Sequence, residues 1–171
     1  KTPIVLGAVT LRNSLYYNSS VLVSGDGQTL GIYDKLHLVP FGEYIPLRKT
    51  LWFLQSIAPI GDIAAGKEYR VFSQPAKFSV LSCFEDLFPE LSRRFVNKGA
   101  GFLVNVTNDA WYKKTSAAYQ HLQASVLRAV ENRVFLVRSA NTGVSCFIAP
   151  TGKIISLVKD SQGQDIFTTG Y

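Results

Sequence analysis

The stretch Phe78-Ser-Val-Leu-Ser-Cys83-Phe-Glu-Asp-Leu-Phe-Pro89-Glu90 decides how this chain reads. Its first five residues form an apolar run of strand length, and Pro89 then signals a first helical turn, where a fixed φ and a missing N–H are no handicap. Cys83 sits between them, at a strand-to-helix corner beside the acids Glu85 and Asp86. A thiol so placed, with a basic residue supplied from elsewhere, suits a nucleophile. The competing reading is a small apolar filler, because free cysteines are among the most buried residue types.

Working outward toward the C-terminus, Leu87, Leu91 and Phe95 fall four apart and Gly99 stands where a helix ends, which predicts an amphipathic helix over 89–98. Residues 101–107 read as a buried strand ending in the polar turn Asn108-Asp-Ala-Trp111. The spacing of Tyr119, Leu122, Val126 and Val130 predicts a helix over 116–132, on which Arg128 and Glu131 pair. Strands over 134–139, 144–149 and 154–158 close the chain, the last two joined by a turn at 150–153.

Toward the N-terminus, residues 3–10 are apolar and rich in β-branched side chains, the pattern of a strand buried on both faces. Strands over 15–24 and 30–35 follow, joined by the hairpin signal Gly25-Asp-Gly27. That glycine pair is a turn and not a phosphate loop, since it lacks a third glycine and a following helix. Residues 40–66 are irregular and carry an apolar patch over 51–60, which fits either packing against a core or partner, or a lid beside a greasy ligand site. Strands alternating with helices, and hairpins at both ends, predict an α/β layered domain.

With 47% hydrophobic and 18% charged residues, the 171-residue chain has the composition of one soluble globular domain. Its net charge of +6 favours acidic partners, but the cations are scattered in short pairs such as Arg93-Arg94, and no RNA-binding signature accompanies them. Solvated faces explain these pairs, and no nucleic-acid partner is expected. Two distant cysteines and two histidines assemble neither a zinc spacing nor a disulfide framework. No metal or cofactor is expected, and Cys83 and Cys146 are both expected free. No signal peptide is visible, and no apolar run approaches the roughly 20 residues that cross a bilayer. The chain starts at Lys1 and contains no methionine, the expectation being a processed product or a piece of a longer protein.

A cysteine nucleophile is only slightly ionised at neutral pH, so it needs a base or a nearby positive charge. His37 and His121 are the only histidines, and each also reads as a hydrogen-bonded structural group. The stronger partner is Lys35, at a strand end within Tyr33-Asp-Lys-Leu-His-Leu-Val-Pro-Phe-Gly-Glu43. A lysine there can stabilise a tetrahedral oxyanion, helped by the backbone N–H after the nucleophile; a surface charge is the alternative.

That string, together with Ser82-Cys-Phe-Glu-Asp86, Asn105-Val-Thr-Asn-Asp-Ala-Trp111, and Arg128-Ala-Val-Glu-Asn132 through Arg138-Ser-Ala-Asn-Thr-Gly143, closely resembles the nitrilase (carbon-nitrogen hydrolase) superfamily. Val-Pro-Phe-Gly-Glu combined with Asn-Asp-Ala-Trp, and the Tyr-Gln-His near 120, resemble its apolipoprotein N-acyltransferase branch. The resemblance implies an α-β-β-α sandwich, here its C-terminal two thirds, with a Glu, Lys, Cys triad. It carries the catalytic lysine onto Lys35 and the nucleophile onto Cys83. Glu43 falls on a glutamate that orients the lysine, and Glu85 on a further functional position. Phe84 stands where some relatives have tyrosine, so a ring hydroxyl is missing. Trp111 matches a residue lining the acyl site, with a buried aromatic as the alternative.

The implied reaction moves an acyl chain from a phospholipid, through a Cys83 thioester, to the N-terminal amine of a diacylglyceryl-cysteine lipoprotein at the periplasmic face of a bacterial inner membrane. The third triad member, a general-base glutamate, is expected upstream of residue 3, with transmembrane helices outside this domain. These 171 residues alone are accordingly expected to be inactive. The competing enzyme is a soluble nitrilase-type amidase acting on a small amide or carbamoyl compound through the same lysine and cysteine. A silent interaction domain has no chemical need for Lys35, Glu43 and Cys83 together.

Overall fold

Asn13 and Ser14 both adopt positive φ, at 50° and 62°. That pair is the two-residue hairpin turn whose twist matches the strands it joins. It links β1 (Ile4–Arg12) to β2 (Leu15–Val23), with Arg12 opposite Leu15. The computed structural model describes residues 2–46, 63–113 and 115–158, and the chain divides into two compact units, Lys1–Glu68 and Tyr69–Tyr171. The apolar patch expected over 51–60 lies outside the described residues.

In the first unit, β1, β2 and β3 (Thr29–Asp34) form an antiparallel sheet in that order. The Gly25-Asp-Gly27 turn is present as expected, with Gly27 at φ 92° and its N–H donating to the Ser24 carbonyl. The expectation of a first strand buried on both faces is not met: Ile4, Leu6, Val9 and Leu11 are all exposed. An apolar run without alternation reads as buried, yet among the described residues β1 pairs on one side only, with β2.

The second unit holds a five-stranded sheet in the order β4 (Phe78–Ser82), β5 (Phe102–Thr107), β6 (Phe135–Ala140), β7 (Cys146–Ile148), β8 (Ile154–Leu157). The first three are parallel and the last two antiparallel additions. Every residue of β4 is buried, as its apolar run predicts. Parallel strands need crossovers, and these are α1 (Pro89–Asn97), between β4 and β5, and α2 (Ala117–Asn132), between β5 and β6. Pro89 opens α1 and Gly99, at φ 99°, follows its end. Leu91 and Phe95 enter the core with Val80, Leu81, Leu103 and Leu136. Leu87 does not, and is exposed on the short 3-10 segment Cys83–Leu87 before the helix.

Helix α2 has the expected period but a different inward face. Tyr119 and Val130 are exposed, while Ala118, His121, Leu122, Ser125, Arg128 and Ala129 are buried. Hydrophobic spacing places Leu122 inside correctly but misses the rest of the face, because three of the seven residues α2 buries are polar. The Arg128–Glu131 pair is formed at 2.8 Å.

Gly66 returns the first unit's chain against the end of β3, its N–H donating to the Lys35 carbonyl at 2.8 Å. A Cβ added there would lie 2.2 Å from the Asp34 carbonyl oxygen, a backbone atom that cannot rotate away. Gly66→Ala is therefore expected to destabilise the fold by about 3 kcal/mol, overpacking against fixed backbone. Urea unfolding at unchanged m-value checks this.

Candidate active site

The expected site residues fall into two groups, one in each unit. Lys35 and Glu43 lie in the first; Cys83, Phe84, Glu85 and Trp111 lie in the second.

Lys35 follows β3 and is almost fully buried at 1% exposure, which rules out the surface-charge reading. Its backbone is fixed on both sides, N–H to the Asn18 carbonyl and carbonyl to Gly66. A buried ammonium must be paired. Its Nζ lies 2.8 Å from Glu43 Oε2, which also accepts the Val39 N–H at 2.8 Å, while Glu43 Oε1 accepts from Asn18 Nδ2 at 2.7 Å. Glu43 is thus held by three donors and in turn aims the lysine. Asn18 was not legible as a site residue. Its only trace is a polar Asn18-Ser-Ser20 run inside a strand, and both serines are buried.

In the second unit the functional elements gather at the carboxyl ends of parallel strands, where α/β sheets place their ligands. Cys83 follows β4, and the 3-10 segment Asp109–Tyr112 follows β5. Cys83 takes φ 52°, a left-handed conformation that costs a β-substituted residue of order 1–3 kcal/mol and is tolerated where neighbours enforce it. It is free and half-buried, whereas Cys146 is free and fully buried, with burial pushing that thiol's pKa up. The filler reading fits Cys146.

Glu85 is completely buried and its Oε2 accepts the Ser82 N–H at 2.8 Å. Asn105, inside β5, donates from Nδ2 to the carbonyls of Leu81 and Cys83, both at 3.1 Å. Phe84 stacks on the His121 ring at 5.4 Å between centroids and tilts against Tyr112 at 6.1 Å. Burial pushes the Tyr112 hydroxyl's pKa far up, and the charges of Cys83, Asp109 and Asp86 add to it. Trp111 is 76% exposed, so its alternative reading as a buried aromatic is excluded.

Behind the corner lies a buried ionic cluster. His121 lies 2.9 Å from Asp86 through Nε2 and 2.9 Å from Asp109 through Nδ1. Arg138 reaches Asp86 at 3.2 Å and Asp109 at 2.8 Å, and Ser125 donates to Asp86. Burial alone would push the imidazole down, but its bonds to Asp109 and Asp86 outweigh this and raise its pKa to about 9. Burial would likewise push Asp109 up, yet His121 and Arg138 hold it below the usual carboxylate range. Two carboxylates thus face two cations. His121, one of the two histidines considered as a base, has both ring nitrogens engaged inside this cluster, Nδ1 lying also 3.0 Å from Arg138 Nη2.

The family model described as carbon-nitrogen hydrolase matches residues 1–168. The chain belongs to the carbon-nitrogen hydrolase family. The apolipoprotein N-acyltransferase of Geobacter metallireducens is 49% identical over 141 residues, covering 81% of this chain and 27% of that protein. Apolipoprotein N-acyltransferase 2 of Treponema denticola is 37% identical over 177 aligned residues, covering 98% and 34%. The chain therefore spans about a third or less of the length of these curated relatives. Among solved structures, a carbon-nitrogen hydrolase from Helicobacter pylori G27 matches with a TM-score of 0.70 at 18% identity, covering 92% of this chain and 58% of that one. That likeness shows the nitrilase-like α/β fold the sequence predicts.

Two measurements check the electrostatics of this carbon-nitrogen hydrolase domain. Folding raises the His121 pKa from 6.5 to about 9, so the protonated ring stabilises fully below pH 6.5 and its contribution is lost as pH climbs through about 9. Thermal melts from about pH 6 to about pH 10 are expected to show this falling limb, and His121→Gln to flatten it while costing about 3–5 kcal/mol at neutral pH. Iodoacetamide is expected to label Cys83 well before Cys146 in the folded protein, as peptide mass spectrometry would show.

Proposed function

We propose that this domain is the catalytic part of an apolipoprotein N-acyltransferase, acting at the periplasmic face of a bacterial inner membrane. The observation that carries the reading is Cys83: a free, half-buried cysteine on a left-handed corner, clamped by buried side chains at the end of a parallel strand. The acyltransferase relatives support the choice of reaction over the amidase alternative.

In the first half-reaction Cys83 Sγ attacks the ester carbonyl carbon of a phospholipid. A carbon–sulfur bond forms, the carbonyl pair moves to oxygen, and collapse breaks the carbon–oxygen bond, releasing a lysophospholipid that takes up the thiol's proton. In the second, the α-amine of a diacylglyceryl-cysteine lipoprotein attacks the thioester. A carbon–nitrogen bond forms, the carbon–sulfur bond breaks, and a proton returns to Cys83. A glutamate general base carries these protons.

In the second unit the Phe84 N–H donates to the developing oxyanion; in the first, Lys35 is the catalytic lysine of the family resemblance, and Glu43 keeps it oriented. Glu85 secures the backbone of the nucleophile's corner. Phe84 and the exposed ring of Trp111 offer apolar surface to the acyl chain.

The test uses the intact protein with a labelled phospholipid and a diacylated lipopeptide. Cys83→Ala is expected to abolish thioester formation and to lower acyl transfer about a thousandfold or more, with Cys146→Ala near wild type; Lys35→Ala should cost about 10²–10³. Full transfer by Cys83→Ala overturns the reading. Release of ammonia from small amides without acyl transfer replaces it with the amidase.

A further inference from the structure

The peptide groups around Cys83 are claimed by side chains buried beneath them. Asn105 spends both Nδ2 hydrogens on the carbonyls of Leu81 and Cys83, one before and one at the corner, each at 3.1 Å. Its Oδ1 accepts from Arg138 Nη1 at 2.7 Å. Asn105 and Arg138 are directly opposed on β5 and β6, and both are buried. Arg138 is itself pinned by Asp86, Asp109 and Ser125.

This arrangement leaves the amide a single orientation. A guanidinium has donors only, so the amide oxygen must face Arg138 and the amide nitrogen must face the carbonyls. Rotating the amide would set donor against donor and acceptor against acceptor between two side chains buried from solvent. The peptide unit is planar, so a fixed Cys83 carbonyl also fixes the Phe84 N–H, which points the opposite way in the same plane. Oxyanion stabilisation depends on such donors being aimed before the reaction begins.

We propose that Asn105 is the positioning residue of the nucleophile, setting both the Cys83 backbone and the direction of the Phe84 N–H, with Arg138 fixing its amide. The proposal rests on the reading of Cys83 as the acyl carrier. Asn105→Asp tests it, because aspartate keeps the volume and the oxygen facing Arg138 but turns the double donor into an acceptor.

In the intact protein with labelled phospholipid, this variant is expected to form the Cys83 thioester about a hundredfold more slowly, with KM for the donor within a few-fold of wild type. The control is Leu103→Ala, a core truncation on the same strand, which should lower Tm yet keep the acylation rate within a few-fold at a temperature where it is folded. Wild-type acylation by Asn105→Asp overturns the proposal, as does a loss of rate in both variants that simply follows their loss of stability. If Asn105→Asp does not accumulate folded, Arg138→Lys keeps the charge without the fork: a tenfold or larger loss in rate at unchanged KM supports the clamp, and wild-type behaviour overturns it. Acyl transfer that survives Cys83→Ala sinks the nucleophile reading instead, and so separates the two failures.

Discussion

Two carboxylates and two cations, all removed from water, form the constraint on which the second unit depends. Asp86, Asp109, His121 and Arg138 come from the 3-10 segment after β4, the segment after β5, helix α2 and strand β6. An isolated buried charge costs several kcal/mol, so none of these side chains could stay inside without the others. Their mutual pairing therefore dictates which face α2 turns inward and where both loops at the sheet's carboxyl edge run. Gly143, at φ 86°, belongs to the same arrangement: a Cβ there would stand 2.7 Å from the Asp109 carboxylate.

The first unit solves a related problem on a smaller scale. One buried lysine is balanced by one glutamate, and that glutamate is held by an asparagine and a backbone N–H. In both units a neutral amide joins the charged groups: Asn18 donates to Glu43, and Asn105 stands between Arg138 and the backbone carbonyls of Leu81 and Cys83. Asparagine suits this task because it donates and accepts at a fixed spacing without adding charge to an interior already in balance.

How much of this the sequence discloses depends on what kind of force is involved. Strand β4, helix α1, the Gly25-Asp-Gly27 turn and the Cys83 corner are local matters of apolar runs, proline, glycine and spacing, and they are legible. Lys35, Glu43 and Cys83 stand out as candidates because their motifs are shared with a known family. The inward face of α2 is not, since His121, Ser125 and Arg128 count as polar in any hydrophobic pattern and are buried only because Asp86 and Asp109 await them from elsewhere in the chain. Asn105 hides within an apolar run, and its meaning appears only once Cys83 and Arg138 are set beside it. The exposure of β1 is equally unreadable, because an apolar run says nothing about how many neighbours the strand has.

The left-handed backbone at Cys83 carries an evolutionary consequence. Glycine would occupy that position without strain, and asparagine at less cost, so either would relax the corner. Under the chemistry proposed for it, cysteine persists there only through selection for sulfur. A lineage that stopped using the thiol would gain stability by losing it, and the residue at this one position would record whether the activity is still in service.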